Sequence, residues 1–381
     1  MKHHRFHVFV WHLVKPVILP WLRHKFNYRA ERCHVEGPYL VLANHNTDWD
    51  PLLLYCAFPQ QMYFVASEHI FRWGFLAKII RFLVDPIARM KGTTAGDTAL
   101  TIMRRLRAGA NVALFAEGNR SFNGVTGEIL ASTGKMARAC GATLITYRLD
   151  GGYFTSPRWA GSKLRRGEMR GKVMGIYTKE QLKSMSPGEI NAIINRDLFV
   201  DAYADQRRDM ILYKGKNLAE HLETVLCLCP KCGGLGTLKS EGDTFSCTCG
   251  LSLTFTPYGF FEGDDVPYDN VTDWDKWQTE QLTARISEEG LIFEDSDIRI
   301  SEVGNNHTDT LLGTGTLSLY ADRLICCQRE FPLHSISGIS MQGAQKLHFT
   351  SGEAHYELSS AQVRCLRKYM TVIEHLARQP L

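Results

Sequence analysis

The start of this 381-residue chain lacks the long apolar run of an exported or membrane-spanning protein. Its most apolar stretch, residues 6–22, is broken by His7, His12, Lys15, Pro16 and Pro20, whereas a spanning helix needs about 20 mostly apolar residues. No small-residue cleavage site follows, so no secretory signal is expected. Acidic groups are scarce there too: residues 1–32 carry Glu31 alone against Lys2, Arg5, Lys15, Arg23, Lys25, Arg29 and Arg32. Internal repeats and low-complexity tracts are missing, which excludes a solenoid and leaves ordinary globular domains. The net charge of +4 says little about partners, but its distribution says more. A second basic group comprises Arg158, Lys163, Arg165, Arg166, Arg170 and Lys172 against Glu168, while 262–302 is mainly acidic. A basic front half suits anionic lipid, a phosphorylated substrate or nucleic acid, or is simply a solvated surface.

What is present is unevenly placed. Of the eleven cysteines, Cys227, Cys229, Cys232, Cys247 and Cys249 crowd into one short segment. An odd total without an export signal points to a reducing cytosol, where clustered cysteines favour a metal over disulfides. Residues 6–26 mix Phe, Trp, Val and Leu with Lys, Arg and His, which suits a helix lying in a membrane interface; a buried N-terminal helix is the alternative. Pro16 and Pro20 argue against one straight helix. His3, His4, His7 and His12 fit that basic terminus better than a metal site.

From Tyr39 the pattern becomes strand, turn, helix, repeated. Residues 39–44 and 62–67 read as strands, 97–109 as a helix ending at Gly109, 111–118 as a buried strand, 133–141 as a helix, and 142–149 as a strand. This alternation predicts an α/β domain with a largely parallel sheet. Ser186 and Glu189 have capping-box spacing and open a helix expected over 187–206. Near residue 226 the style changes. A Cys- and Gly-rich segment is followed by an acidic stretch, then by short alternating runs over 310–358 that read as antiparallel strands, then by a helix over 360–378. The expected organisation is an N-terminal interfacial helical segment (1–35), an α/β domain (36–225), a zinc-ribbon-like segment (226–262) and a β-rich domain ending in a helix (263–381).

Three constellations carry chemistry. In the first, His45 is followed five residues later by Asp50, just past a predicted strand. Imidazole can accept a proton near neutral pH, and a carboxylate in reach would fix its tautomer. A turn must bring the two together, and alone the pair is weak information. In the second, a buried strand delivers Glu117, Gly118, Asn119, Arg120 and Ser121 at its carboxyl end, where open α/β sheets bind ligands. Gly118 allows close approach, Arg120 can grip a phosphate with two parallel hydrogen bonds, and Ser121 can add a third. Arg89 offers a second cation. In the third, Cys229, Cys232, Cys247 and Cys249 could form a closed tetrahedral zinc site. Its second knuckle has one intervening residue instead of two, and Cys227 is an alternative ligand. With no His or carboxylate in the set, such a zinc would be structural.

The first two constellations, with Asp85, Pro86, Ile87, Ala88 and Arg89 between them, follow the order and approximate spacing of the glycerolipid acyltransferases. The chain resembles that superfamily, which includes glycerol-3-phosphate and lysophosphatidic acid acyltransferases, over about residues 1–205. The resemblance implies that His45 is a general base with Asp50 as its partner. It implies that Arg89, Glu117, Gly118 and Arg120, with their neighbours Asn119 and Ser121, shape the site for a phosphorylated acceptor. Asn119 stands where the family commonly has Thr or another small residue, and the fourth block reads Thr143, Leu144, Ile145, Thr146 without the family's Val-Pro pair. The segment 227–250 resembles a zinc ribbon, and the C-terminal strands and helix resemble a PH-like fold in element order alone. The expected activity is transfer of a fatty acyl group from acyl-CoA or acyl carrier protein to a lysophospholipid hydroxyl, 1-acylglycerol-3-phosphate in the first instance, at the cytoplasmic face of a membrane. The competing expectation is a non-catalytic zinc-ribbon protein contacting phosphorylated or protein partners. Nucleic acid is not expected, because the ribbon has only Lys231 and Lys239 and an acidic segment follows it.

Overall fold

The computed structural model describes residues 4–67, 75–89, 95–161, 163–286, 290–304 and 309–378. The chain divides into two compact units, one of Met1–Pro157 with Leu164–Lys214, the other of Arg158–Lys163 with Gly215–Leu381.

The first unit opens with α1 (His4–Lys25) and β1 (Tyr28–Ala30), followed by β2 (Tyr39–Ala43), α2 (Asp50–Leu54), β3 (Met62–Ser67), α3 (Phe75–Val84), β4 (Ile87–Arg89), α4 (Ala95–Arg107) and β5 (Asn111–Phe115). It continues with α5 (Ser132–Cys140), β6 (Thr143–Asp150), α6 (Gly152–Thr155), β7 (Met169–Tyr177), α7 (Lys179–Ser184), α8 (Pro187–Leu198) and α9 (Ala202–Asp209). The strands form one sheet in the order β1-β7-β6-β2-β5-β3-β4. Every neighbouring pair is parallel except β6 with β7. The central strand β2 is apolar throughout because helices cover both faces. Tyr39, Val41 and Ala43 join Leu22, Phe26, Leu53 and Leu54 in one core. Leu40 and Leu42 join Ile102, Leu106, Ile190 and Ile194 in the other.

Helix α1 continues through Pro16 and Pro20. Both prolines are exposed, as are His12 and Pro16, whose carbonyls lose their helical donors, so water can take those bonds. The helix expected over 187–206 is two helices. Asp201 breaks it by capping α9, its carboxylate accepting the N–H groups of Tyr203 (3.1 Å) and Ala204 (3.0 Å). Arg158 is no solvated cation: it is buried, and its Nε and Nη2 donate to the carbonyls of Gly343 (2.8 Å) and Met341 (2.7 Å).

His4 and His7 meet a tyrosine. The Nδ1 atoms of both lie on the Tyr63 hydroxyl, at 3.1 and 3.0 Å, and His7 Nε2 lies 3.1 Å from the Phe82 carbonyl. A carbonyl only accepts, so a neutral His7 donates from Nε2 and accepts the tyrosine proton at Nδ1. This ties α1 to β3 and α3. The opposite side of α1 is bare: Phe9, Leu13, Val17 and Trp21, four residues apart, are 64%, 68%, 76% and 45% exposed. Phe75 and Phe82 of α3 are exposed as well.

The second unit contains β8 (Leu238–Glu241), β9 (Thr244–Cys247), β10 (Ser252–Phe255), β11 (Phe261–Glu262) and α10 (Val271–Thr283). A longer series follows: β12 (Phe293–Val303), β13 (Asp309–Leu319), β14 (Arg323–Cys326), β15 (Arg329–Pro332), β16 (Ile336–Gln342), β17 (Lys346–Ser351) and β18 (Ala354–Ser360). Helix α11 (Arg367–Arg378) ends it, starting later than the expected residue 360. The first four strands make one antiparallel sheet. The next seven make another, in the order β15-β14-β13-β12-β18-β17-β16, antiparallel at every pairing. Tyr369 of α11 is buried edge-on to Phe293 and donates its hydroxyl to Asp295 (2.8 Å). Val363, 39% exposed, lies ahead of the helix.

Candidate active site

Parallel pairing of β2 with β5 sets Ala43 opposite Phe115, so the loops leaving their carboxyl ends emerge side by side. One carries His45 and Asp50, the other Glu117 to Ser121. Asp50 begins α2 and is fully buried. Its Oδ2 faces His45 Nδ1 at 2.9 Å and accepts the N–H groups of Asn46 (2.6 Å) and Thr47 (2.9 Å). Its Oδ1 accepts the Thr47 hydroxyl at 2.6 Å. An ionised carboxylate can only accept, so Nδ1 carries the proton and a neutral His45 presents Nε2 as its basic nitrogen. The His45 side chain is 20% exposed, and its ring lies over Phe115 with centroids 4.4 Å apart. The turn needed to bring residues 45 and 50 together is therefore present.

The second loop holds the first. Glu117 Oε1 accepts the backbone N–H of His45 (2.7 Å), and its Oε2 accepts that of Gly127 (2.6 Å). Burial pushes the Glu117 carboxyl up to about 8, against the pull of those two N–H donors. Ser121 donates its N–H to the His45 carbonyl (3.0 Å). Arg120 donates from Nε to the Asn46 carbonyl (2.8 Å), from Nη1 to Asp48 (2.9 Å) and from Nη2 to the Ser156 carbonyl (2.5 Å). The Ser121 hydroxyl closes its own turn, donating to the Val125 carbonyl (2.7 Å) and accepting the Gly124 N–H (2.9 Å). Gly118 has φ +72°, a left-handed conformation that favours glycine, and Asn119 beside it is partly buried. Arg89 ends the edge strand β4, separated from β5 by β3; its side chain lies outside the described residues.

Sequence reasoning missed the residues that seat this pair of loops. Asn44 is buried, and its amide exchanges two hydrogen bonds with the backbone of Leu149, donating at 2.9 Å and accepting at 2.7 Å. Asn46 adds a third bond, to the Leu149 carbonyl (2.8 Å). Gly152 packs so closely that a Cβ there would lie 2.7 Å from Asn46 Cβ. Asn44 and Asn46 flank His45, which was the available signal; Gly152 had none, because its contact depends on β6 lying beside β2.

In the second unit the Sγ atoms of Cys229, Cys232, Cys247 and Cys249 all lie within 4.8 Å of one another. Four sulfurs bound about 2.3 Å from zinc sit about 3.8 Å apart at the corners of a tetrahedron. The Cys229–Cys249 and Cys232–Cys247 separations are both 3.8 Å, so the cluster could hold zinc despite its short second knuckle. Burial raises the Cys229 thiol, whereas at Cys247 the Cys249 N–H and the Thr237 hydroxyl outweigh burial and lower the thiol. Cys227 is not in the cluster; it is buried with its N–H on Gln278 Oε1 (3.0 Å).

Residues 25–150 match the family model named Acyltransferase. A comparison with curated proteins finds no match. Among solved structures, the 1-acyl-sn-glycerophosphate (LPA) acyltransferase PlsC of Thermotoga maritima is similar at 16% identity with a TM-score of 0.40, over 50% of this chain and 78% of its own. That likeness is too slight to bear on substrate. The paired loops of β2 and β5 thus lie within the matched segment, and residues 25–150 are an acyltransferase domain, carried in one chain with a four-cysteine cluster and an antiparallel C-terminal sheet.

Proposed function

We propose that the protein transfers a fatty acyl group from an acyl thioester to the free hydroxyl of a lysophospholipid, 1-acylglycerol-3-phosphate before others, giving phosphatidic acid. The observation that carries this reading is the His45–Asp50 pair at the carboxyl ends of parallel strands, inside the segment that matches the acyltransferase model. His45 Nε2 takes the proton of the acceptor hydroxyl as that oxygen attacks the thioester carbonyl. The C–S bond then breaks, and the imidazolium returns the proton to the leaving thiolate. Asp50 stabilises the imidazolium between the two steps, and such a base contributes about 10²–10⁴-fold. A nucleophilic side chain is not required. The donor is acyl-CoA or acyl carrier protein.

Arg120 and Arg89 are the cations proposed for the acceptor phosphate, with Gly118, Asn119 and Ser121 forming the loop wall. Support comes from Asp48, the carboxylate on Arg120 Nη1, which is 77% exposed. A phosphate oxygen arriving from solvent can replace it without breaking the two buried bonds of the guanidinium. Among the described residues no helix is long and apolar enough to cross a membrane. The bare stripe of α1, with Arg23, His24 and Lys25 in its last turn, suits a helix lying in the cytoplasmic interface of an anionic bilayer. The four cysteines hold one structural zinc.

The test is a panel of lysolipids supplied in turn with one labelled acyl thioester. The reading expects 1-acylglycerol-3-phosphate to give labelled phosphatidic acid faster than acceptors lacking the phosphate. Equal rates with phosphate-free acceptors would overturn the acceptor assignment, and no labelled lipid from any acceptor would overturn the activity.

A further inference from the structure

We propose that Glu117 is a positioning residue, whose carboxylate braces the His45 main chain against the segment around Gly127 instead of touching the acceptor. The inference rests on His45 being the base, but its test has an arm that does not depend on turnover. The resemblance alone had put Glu117 among the residues that shape the acceptor site.

Both oxygens of Glu117 are committed to N–H groups from different segments, His45 at 2.7 Å and Gly127 at 2.6 Å. The first spans 72 residues of sequence and the second ten, so the side chain ties the catalytic loop to a turn on its own side of the site. Two residues near Glu117, Phe115 and Ser121, act on the same target. Phe115 lies under the imidazole at 4.4 Å, and Ser121 N–H holds the His45 carbonyl at 3.0 Å. The peptide on each side of the His45 Cα is therefore pinned from the β5 loop, and the ring is backed by the same strand. Asp50 fixes the tautomer and holds the ring, the Asn46 and Thr47 N–H groups and the Thr47 hydroxyl, but not the His45 main chain. Without Glu117 the His45 N–H would lose its acceptor, and the ring would be free to swing about a looser backbone.

Two N–H donors aimed at two oxygens make the site intolerant of an amide. In Glu117→Gln the terminal NH₂ must face one of those N–H groups, donor against donor.

Steady-state kinetics of Glu117→Gln with both substrates varied should show kcat down about a hundredfold, the cost of a misplaced reacting group. Both Michaelis constants should stay within about twofold of wild type. Glu117→Asp, one methylene shorter, reaches one N–H but not both; it should fold and lose kcat with the same unchanged Michaelis constants. The arm independent of activity is the His45 Nδ1–H proton resonance. It should be sharp and slow to exchange in the wild type, and broadened or lost in either variant. An acceptor Michaelis constant that rises while kcat holds would overturn the proposal and return Glu117 to the acceptor. So would an unchanged Nδ1–H resonance in a folded variant. A wild-type protein that acylates none of the lysolipids, yet loses the resonance in the variants, would refute the substrate reading while leaving the brace standing.

Discussion

Arg120 donates its Nε–H to the carbonyl of Asn46 at 2.8 Å, so the arginine of one loop holds the residue next to His45 in the other. The same guanidinium reaches Ser156 through Nη2 and the exposed Asp48 through Nη1. It thus braces two sides and meets an exposed carboxylate on the third.

Replacing Arg120 with Lys keeps the charge and removes the planar fork. A single ammonium cannot serve Asn46, Ser156 and an incoming phosphate together. The account expects Arg120→Lys to raise the acceptor Michaelis constant and also to lower kcat, each by about tenfold, with a smaller effect on the donor. Initial rates with acceptor and donor varied separately check this. A rise confined to the donor would move the arginine to the thioester's phosphates.

The α1 stripe predicts membrane binding that a charge would weaken. Leu13 and Val17 are 68% and 76% exposed, so Leu13→Glu with Val17→Glu disturbs no packing. Burying two such side chains in lipid contributes roughly 1.5–3 kcal/mol each, so sedimentation with anionic vesicles should show at least about tenfold weaker binding. Thermal unfolding should be unchanged. Equal binding by the double variant would remove α1 as the contact.

The cysteine cluster predicts one zinc per chain. Thiolate ligands couple metal binding to local folding, so a chelator should speed hydrogen exchange in 227–255 far more than in β2 or β5. Metal analysis of freshly purified, reduced protein provides the count. Less than about a tenth of an equivalent of zinc would rule the site out.

The elements near the site were legible because their signals are local. Apolar runs bounded by polar loops marked β2, β3 and β5, and His45 with Asp50 stood out by type and spacing. The partners that seat them were not legible. Arg120 meets Asn46 across 74 residues, and Asn44 meets Leu149 across 105. Both contacts exist only because β2 lies in register between β5 and β6. The break before α9 was missed because Asp201 reads as an ordinary helix residue until its carboxylate is seen capping Tyr203 and Ala204. The cysteine set was legible from its spacing, Cys249 included, and the fold brings those four sulfurs together without Cys227.

The most direct test of the account is turnover by His45→Ala with an acyl thioester and 1-acylglycerol-3-phosphate. Asp50 is buried and its other partners, the Asn46 and Thr47 N–H groups and the Thr47 hydroxyl, remain in the variant. Unfolding temperature, zinc content and vesicle binding should therefore stay near wild type. The rate should fall by at least about a hundredfold, the lower bound for a general base. A folded His45→Ala protein that acylates this acceptor at a substantial fraction of the wild-type rate would contradict the account at its centre.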